Sequence, residues 1–262
     1  MKKTLLALSL IISGSVIITS CSKDDDNYNN TPIPPENSDI VVDRGFGDSS
    51  GVVISINKFR ATAGQTVNTA PGATGGRREV NWDGVPDSAA ADFFNPTAVE
   101  APGGRKRGLV YFPSTVLLRT SLTGFSNIDP SYANQFKQFS RPRLFNSHNS
   151  NVTEIRFKVP GTSVDAFVRS IGIVFADVDD ASATTVELFD GDKSLGLAKA
   201  QPSNGQFSFV GMSTTVGKIT RVKITTGNGI LAPGVKDVSD GGSKDLVVMD
   251  DFIYSEPVAI QP

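Results

Sequence analysis

The feature that most constrains this chain is a series of short runs rich in Val, Ile, Phe and Thr, each closed by Gly or Pro. Runs of this length, separated by turn-forming residues, predict β-strands rather than helices. Turn formers occur throughout, since the 262 residues include 25 glycines and 15 prolines. The predicted strands are Glu79–Trp82, Gly108–Phe112, Val116–Thr123, Thr153–Val159, Phe167–Val178, Thr184–Phe189, Leu195–Ala198, Phe207–Val210, Lys218–Thr226 and Leu246–Tyr254.

Two of these strands contain segments that are apolar on both faces, Ile171–Phe175 and Leu246–Met249. Strands of this kind lie in the middle of a packed sheet, whereas edge strands usually alternate apolar and polar residues. We therefore predict an all-β fold, an antiparallel two-sheet β-sandwich of jelly-roll type. The predicted domain spans residues 39–257, with a C-terminal tail at 258–262 and one or two short helices, at 56–60 and 88–94.

The N-terminal segment has the pattern of a secretory signal. Met1–Lys3 is basic, and Leu5–Ile18 is apolar but shorter than the roughly 20 residues that span a bilayer. The segment Ile18–Cys21 resembles the lipobox of bacterial lipoproteins. This resemblance implies a signal peptide at 1–20 and acylation of Cys21, the only cysteine. A lipoprotein cysteine carries more than one acyl chain, which suffices for stable anchoring in a membrane. An ordinary signal peptide remains the alternative.

Residues 21–38 are polar and contain three prolines, which predicts a disordered tether between lipid and domain. Its first part, Ser22–Asp26, is a Lys followed by three acids and resembles the surface-export signal of Bacteroidetes lipoproteins. This resemblance implies an outer-membrane lipoprotein exposed at the cell surface. A plain solvated spacer explains the same residues, and the two interpretations are compatible.

Composition excludes several classes of function. The 25 basic and 27 acidic side chains give a net charge of −2, which argues against nucleic acid as a partner. One cysteine and one histidine leave no disulfide scaffold, no Cys-based zinc site and no multi-His metal site. His148 lies in a polar loop, and the chain has no Gly-x-Ser-x-Gly nucleophile motif. The sequence therefore contains no recognisable catalytic constellation.

The segment Gly76–Asp87, GRREVNWDGVPD, resembles a signature of an uncharacterised family of secreted bacterial proteins, some of which carry PEP-CTERM sorting domains. The likeness continues through most of the mature domain. It includes Phe93–Asn95, Arg107-Gly108, Ile171–Asp179 and Val247–Tyr254. The resemblance implies a secreted β-sandwich and no established activity.

Acidic residues inside apolar strands are the best chemical clue. A buried carboxylate needs a partner, because an unpaired buried charge costs several kcal/mol. Unless a bulge intervenes, alternation puts Asp250 on the face of Phe252 and Asp251 on the opposite face, and it puts Asp177 on the face of Phe175. The next position on that face is taken by the second acid of the segment, Asp179.

Oxygen ligands of this type suit Ca²⁺. We therefore predict a calcium site in which Asp177 or Asp179 lies beside Asp250 or Asp251, as in jelly-roll carbohydrate-binding modules by analogy of fold. Salt bridges or solvated strand ends are the alternatives. The basic partners for such salt bridges are Arg77, Arg78 and Arg107.

A polar stripe precedes these acids. Glu79, Asn81 and Asp83 share one strand face, and Trp82 lies on the other. These four residues form a predicted ligand-binding set. Trp82 is either an exposed platform for a sugar ring or a core aromatic, and the stripe on the opposite face favours the core.

The predicted function is a lipid-anchored, non-catalytic binding module of the cell envelope that binds a glycan. A polysaccharide or an envelope protein is the predicted partner. The first alternative is a structural or adhesive surface protein with a protein partner. A carboxylate-based glycoside hydrolase or lyase ranks below both, with Glu79 and Asp83, or Asp177 and Asp251, as its pair.

Overall fold

A computed structural model describes residues 39–85, 93–94 and 104–261. The predicted signal peptide, the acylated Cys21 and the tether lie outside the described residues, as does most of the predicted helix at 88–94. The predicted fold class is confirmed: the domain consists of two antiparallel sheets with a single α-helix in the described part.

Fifteen strands and one α-helix, α1 (Ser49–Ala63), are described. Three short 3-10 segments accompany them, Gly104–Arg107, Pro130–Asn134 and Val238–Asp240. In chain order the strands are β1 (Val41–Gly47), β2 (Arg77–Val80), β3 (Phe93–Phe94), β4 (Leu109–Phe112), β5 (Leu118–Ser121), β6 (Leu144–Ser147), β7 (Val152–Lys158), β8 (Asp165–Phe167), β9 (Ser170–Val178), β10 (Thr185–Asp190), β11 (Lys193–Lys199), β12 (Ser203–Ser213), β13 (Arg221–Thr225), β14 (Val248–Ser255) and β15 (Val258–Ala259).

The strands form two sheets. Sheet A has the order β1-β12-β9-β14-β6-β5-β3, and β2 pairs with the second half of β14. Sheet B has the order β11-β10-β13-β7-β8-β15, and β4 pairs with β7. With eight and seven strands, the two sheets are larger than those of a simple eight-stranded jelly roll.

Two hydrophobic cores lie on the two faces of sheet A. The inner core fills the space between the sheets and includes Phe157, Phe175 and Phe252. The outer core lies on the opposite face of sheet A, where Phe59 of α1 and Phe125 pack. Because sheet A is covered on both faces, all nine residues of β9 are buried. This explains why the central strands are apolar throughout.

Helix α1 is longer than the predicted helix at 56–60, although its sequence is rich in β-branched residues. The helix begins because the Asp48 carboxylate accepts a hydrogen bond from the Gly51 backbone N–H at 2.9 Å. It persists because one helical face, which includes Val52, Ile56 and Phe59, is buried against sheet A. Tertiary packing therefore overrides local propensity here.

A pair of glycines allows α1 to lie close to the sheet. Gly172 of β9 and Gly211 of β12 are cross-strand partners. A Cβ atom at Gly172 would lie 2.7 Å from the ring of Phe59, and one at Gly211 would lie 2.5 Å from it. No larger residue fits under this ring, so the glycines mark a close approach rather than a turn.

Several element boundaries differ from the predicted ones. The predicted strand Phe167–Val178 is two strands, because β8 belongs to sheet B and β9 to sheet A. Phe93–Phe94 pairs with β5 as a strand and is not helical. Val258–Ala259 pairs with β8, so the sandwich extends beyond residue 257, where the predicted domain ended.

The described domain begins at Asp39, which binds the segment after β12. Its carboxylate accepts hydrogen bonds from the Thr214 hydroxyl at 2.7 Å, from the Thr215 backbone N–H at 2.7 Å and from the Val216 backbone N–H at 2.9 Å. The Thr214 hydrogen bond and the backbone donors lower the pKa of Asp39 to about 2. Residue 39 is therefore fixed to the end of β12 before β1 starts.

Candidate functional site: two carboxylate clusters beside a cavity

A β-bulge in β14 determines where Asp250 and Asp251 lie. Met249 pairs with Phe175 and Phe252 pairs with Ile173, so three steps along β14 match two steps along β9. Asp250 and Asp251 therefore lie opposite a single residue of β9, Val174, and β14 contains one extra residue. A bulge of this kind places two residues opposite one and breaks the alternation of side chains.

The predicted alternation of Asp250 and Asp251 is therefore wrong. Met249 and Phe252 both lie in the inner core, and Val248 and Ile253 both lie in the outer core. Asp250 and Asp251 do not occupy opposite faces, because both carboxylates reach the same hydroxyl, that of Ser140.

Ser140 joins the two carboxylates. Its Oγ lies 2.8 Å from Asp250 Oδ1 and 2.7 Å from Asp251 Oδ1, and the Phe139 backbone N–H donates to Asp250 Oδ2 at 2.6 Å. A hydroxyl has only one proton to donate, so the second contact requires a proton on a carboxyl group. Burial and the adjacent Asp251 raise the pKa of Asp250 well above its usual range. Burial raises the pKa of Asp251 as well, so the site favours one proton held among the two carboxyls and the Ser140 hydroxyl.

Two residues of the predicted ligand set join this group. The Asn81 side-chain amide donates to Asp83 Oδ2 at 2.6 Å and lies 3.4 Å from Ser140 Oγ. The Arg143 backbone N–H donates to Asp83 Oδ1 at 3.0 Å, and burial raises the pKa of Asp83. We call Asn81, Asp83, Ser140, Asp250 and Asp251 the Ser140 cluster.

The other two members of the predicted set lie elsewhere. Glu79 accepts hydrogen bonds from Arg60 at 3.0 Å and from Arg77 at 2.8 Å. Burial opposes its ionisation, but these two guanidinium groups outweigh burial and lower the pKa of Glu79. Trp82 is 3% exposed and belongs to the inner core, where its ring centroid is 6.1 Å from that of Tyr111. The core interpretation of Trp82 is therefore correct.

A second break in alternation occurs at Asp177. Its φ angle is +65°, an uncommon conformation for a residue other than glycine. Phe175 and Val178 both lie in the inner core, so Asp177 does not continue the face of Phe175 as predicted. Its carboxylate accepts hydrogen bonds from the Gln135 side chain at 2.9 Å and from the Gly205 backbone N–H at 2.6 Å.

Asp177, Asp179 and Asp237 form the second cluster, which we call the Asp179 cluster. Each offers a carboxylate oxygen, and these atoms all lie within 4.8 Å of one another. Asp237 is fully buried and accepts hydrogen bonds from the backbone N–H groups of Ser239 and Leu246, both at 2.7 Å. These bonds fix Asp237 in the cluster from a separate loop.

The Asp179 cluster brings three carboxyl groups together, and none of them has a salt bridge among the described residues. Burial, followed by the carboxyls of Asp237 and Asp177, raises the pKa of Asp179 to about 7. The Asp179 Oδ2 atom is buried and has no hydrogen-bond partner among the described residues. The carboxylate of neighbouring Asp245 accepts hydrogen bonds from the Asp179 and Asp180 backbone N–H groups. Burial raises the pKa of Asp245 to about 6. A cation can balance this charge as well as protons can, and carboxylate oxygens suit hard cations, so the cluster can hold a metal ion.

The structure therefore divides the predicted calcium ligands. It brings Asp177 and Asp179 together with Asp237, and it places Asp250 and Asp251 on Ser140 instead. Sequence reasoning missed Ser140 and Asp237, because both lie in loops where no period or motif marks them.

A cavity of about 660 Å³ is lined by residues that are bonded to the two clusters or that follow such residues in the chain, although no member of either cluster lines it. Phe139 lines the cavity, and its backbone N–H donates to Asp250. Gln206 and Phe207 also line the cavity, and the residue before them in the chain, Gly205, donates its backbone N–H to Asp177. Lys137 and Arg141 also line the cavity and are exposed. The wall thus combines aromatic rings, amides and positive charges.

Comparison with known proteins found no match: no family model, no curated protein and no solved structure is similar to this chain. Within the described residues, no helix is both long enough and apolar enough to cross a bilayer. The function is therefore inferred from the site itself.

The proton shared in the Ser140 cluster predicts how stability depends on pH. A carboxyl whose pKa is raised on folding stabilises the protein at low pH, and this contribution is lost as the pH rises through the raised pKa. Asn has the shape of a protonated Asp and can make the same hydrogen bonds. We expect Asp250→Asn to raise the Tm at pH 8 by about 2–4 °C, the shift that about 1 kcal/mol gives in a domain of this size. It should also flatten the dependence of Tm on pH.

Thermal melts from pH 4 to 8 in the presence of a chelator measure both effects. Asp192→Asn is the control, because Asp192 is fully exposed and its loss should leave the pH profile unchanged. A profile for Asp250→Asn that matches the wild-type profile would show that the two carboxyls do not share a proton.

Proposed function

We propose that this protein is a lipid-anchored, non-catalytic binding module of the bacterial cell envelope, and that its ligand is a polysaccharide. The observation that carries the proposal is the 660 Å³ cavity, whose lining includes Phe139, the backbone donor to Asp250. Its size is within the range of about 300–1,000 Å³ that is usual for ligand sites. The N-terminal pattern and the resemblance at Gly76–Asp87 support an envelope location.

The chemistry of the cavity wall suits a sugar. Phe139 is half-buried and provides apolar surface for the C–H face of a sugar ring, with the buried rings of Phe136 and Phe207 also in the lining. Gln206 and Lys137 provide hydrogen-bonding groups for hydroxyls. A purely apolar ligand would leave these polar groups without hydrogen-bond partners, and the loss of their hydrogen bonds with water would weaken binding. The mixed wall therefore favours a polyhydroxylated ligand.

The state of the carboxylates favours binding over hydrolysis. Glycosidases place two carboxyls about 5–9 Å apart on either side of an accessible bond. Asp250 and Asp251 are 0% and 4% exposed, and the Ser140 hydroxyl is within hydrogen-bond distance of both carboxyl groups. Glu79 is paired with two arginines. These carboxylates thus have structural partners and lack the access that a substrate needs.

We further propose that the Asp179 cluster binds Ca²⁺. Asp177 accepts a hydrogen bond from the Gly205 backbone N–H, and the two residues after Gly205 line the cavity. An ion bound to Asp177 would therefore rigidify one wall of the ligand site. Calcium would also remove the need for the proton that the raised pKa of Asp179 implies. This role is structural and involves no reaction.

Calcium should stabilise the protein. At a concentration of 100 Kd a bound ion contributes about 2.7 kcal/mol, which corresponds to a rise in Tm of about 5–10 °C for a domain of this size. Asp179→Asn should abolish the rise, and Asp250→Asn should retain it, because Asp250 belongs to the Ser140 cluster. Thermal melts with calcium and with a chelator measure the difference. Equal midpoints for the wild-type protein in the two conditions would refute the calcium site.

Ligand binding tests the proposed function directly. Affinity gel electrophoresis of the purified protein through neutral and uronate-containing polysaccharides should show retardation by at least one of them. Replacing both exposed cavity cations, Lys137→Ala with Arg141→Ala, should weaken that retardation about tenfold. Lys223→Ala, an exposed cation on the outer face of sheet B, is the control. Unretarded migration through every polysaccharide would contradict the proposal.

The anchor has its own test. Metabolic labelling with a fatty-acid probe should modify the wild-type protein and leave Cys21→Ser unlabelled. The variant should also move from the membrane fraction to the soluble fraction, because the acyl chains supply the attachment. Protease treatment of intact cells should degrade the wild-type protein if it is displayed on the outer surface. An unlabelled wild-type protein would remove the proposed location.

A further inference from the structure

Arg119 lies in a smaller cavity at the β5–β6 side of sheet A. It pairs with Asn146 across the two strands, and its neighbour Leu118 belongs to the inner core, so Arg119 is on the outer face of the sheet. The residue is half-buried, and its Nε is buried without a hydrogen-bond partner among the described residues. Burying the Nε–H of a guanidinium without an acceptor is costly, and an anion that accepts from it would relieve this cost.

Arg119 and His148 line this cavity, and no acidic residue is among its described lining residues. By contrast, Asp48 lines the 660 Å³ cavity. Arg119 therefore faces a space whose fixed charge is positive. Charge complementarity requires an anionic group in the ligand.

The size and the lining of the cavity further restrict the class of ligand that can bind. The cavity measures about 200 Å³, below the usual range for larger organic ligands. One side is apolar, formed by Phe125, Ile128, Leu231 and Pro233. An inorganic anion would make no use of this side. The ligand that fits has a single small ring, a carboxylate for Arg119 and hydroxyls for polar groups such as Asn146.

We propose that this cavity binds a hexuronate unit, with its carboxylate on the Arg119 guanidinium and its ring against the apolar wall. The inference rests on the proposed function and makes it more specific, because it assigns uronate-containing polysaccharides as the ligand class. Hydrogen bonds between Arg and a carboxylate are charge-assisted, so most of the discrimination between an acidic and a neutral sugar depends on Arg119.

Titration calorimetry of the purified full chain with free glucuronate tests the proposal. Glucuronate should bind at least tenfold more tightly than glucose. Arg119→Gln should weaken glucuronate binding at least tenfold, and Arg119→Lys should weaken it less because the charge is kept. Arg44→Gln, which removes an exposed arginine from β1, is the matched control and should bind like the wild type. Arg119→Gln should not lower the Tm, because the lost charge has no partner.

Several outcomes would overturn the inference. Unchanged glucuronate binding by Arg119→Gln would remove Arg119 from the site, and equal affinity for glucose would remove the role of the carboxylate. Acetate or sulfate binding as tightly as glucuronate would mean a simple anion site. The proposed function fails separately, since retardation by a neutral polysaccharide without glucuronate binding would refute only the uronate site. Glucuronate binding without retardation by any polysaccharide would refute only the polysaccharide ligand.

Discussion

One extra residue in β14 determines the arrangement of the outer face of sheet A. The bulge brings the Asp250 and Asp251 carboxylates to one hydroxyl, Ser140, and to the backbone N–H of Phe139. These contacts fasten the loop before β6 to the sheet, and the same loop carries aromatic and basic residues of the large cavity. Without the bulge the two acids would lie on opposite faces, one of them in the apolar inner core. The position of this loop therefore depends on a buried pair of acids whose pKa values are both raised by burial.

The sequence predicts the part of the structure that follows regular patterns. The apolar runs correctly indicated the central strands, and the polar stripe correctly placed Trp82 in the inner core. The site lies where the patterns fail: at the bulge of β14 and at the positive φ of Asp177, alternation assigns the wrong face. Asp237 and Ser140 come from loops, which carry no periodic signal. Helix α1 was underestimated because packing on sheet A, rather than its β-branched sequence, makes it helical.

The two clusters divide the functional roles between them. The Ser140 cluster is closed, since its acids are buried and share hydrogen-bond partners within the protein. The Asp179 cluster keeps a buried oxygen without a hydrogen-bond partner, and its three carboxyl groups have no salt bridge within the described part of the chain. This contrast is why we assign a structural role to the first and an ion to the second.

The hydrogen bonds at Asp39 have a mechanical consequence. Any tension that the preceding chain transmits enters the domain at this residue, where one carboxylate holds a hydroxyl and two backbone N–H groups after β12. This contact must yield before force reaches the β1–β12 ladder at the margin of sheet A. Because resistance to pulling is governed by the unfolding rate rather than by equilibrium stability, a single aspartate at the entry point can set the force at which the strand peels away.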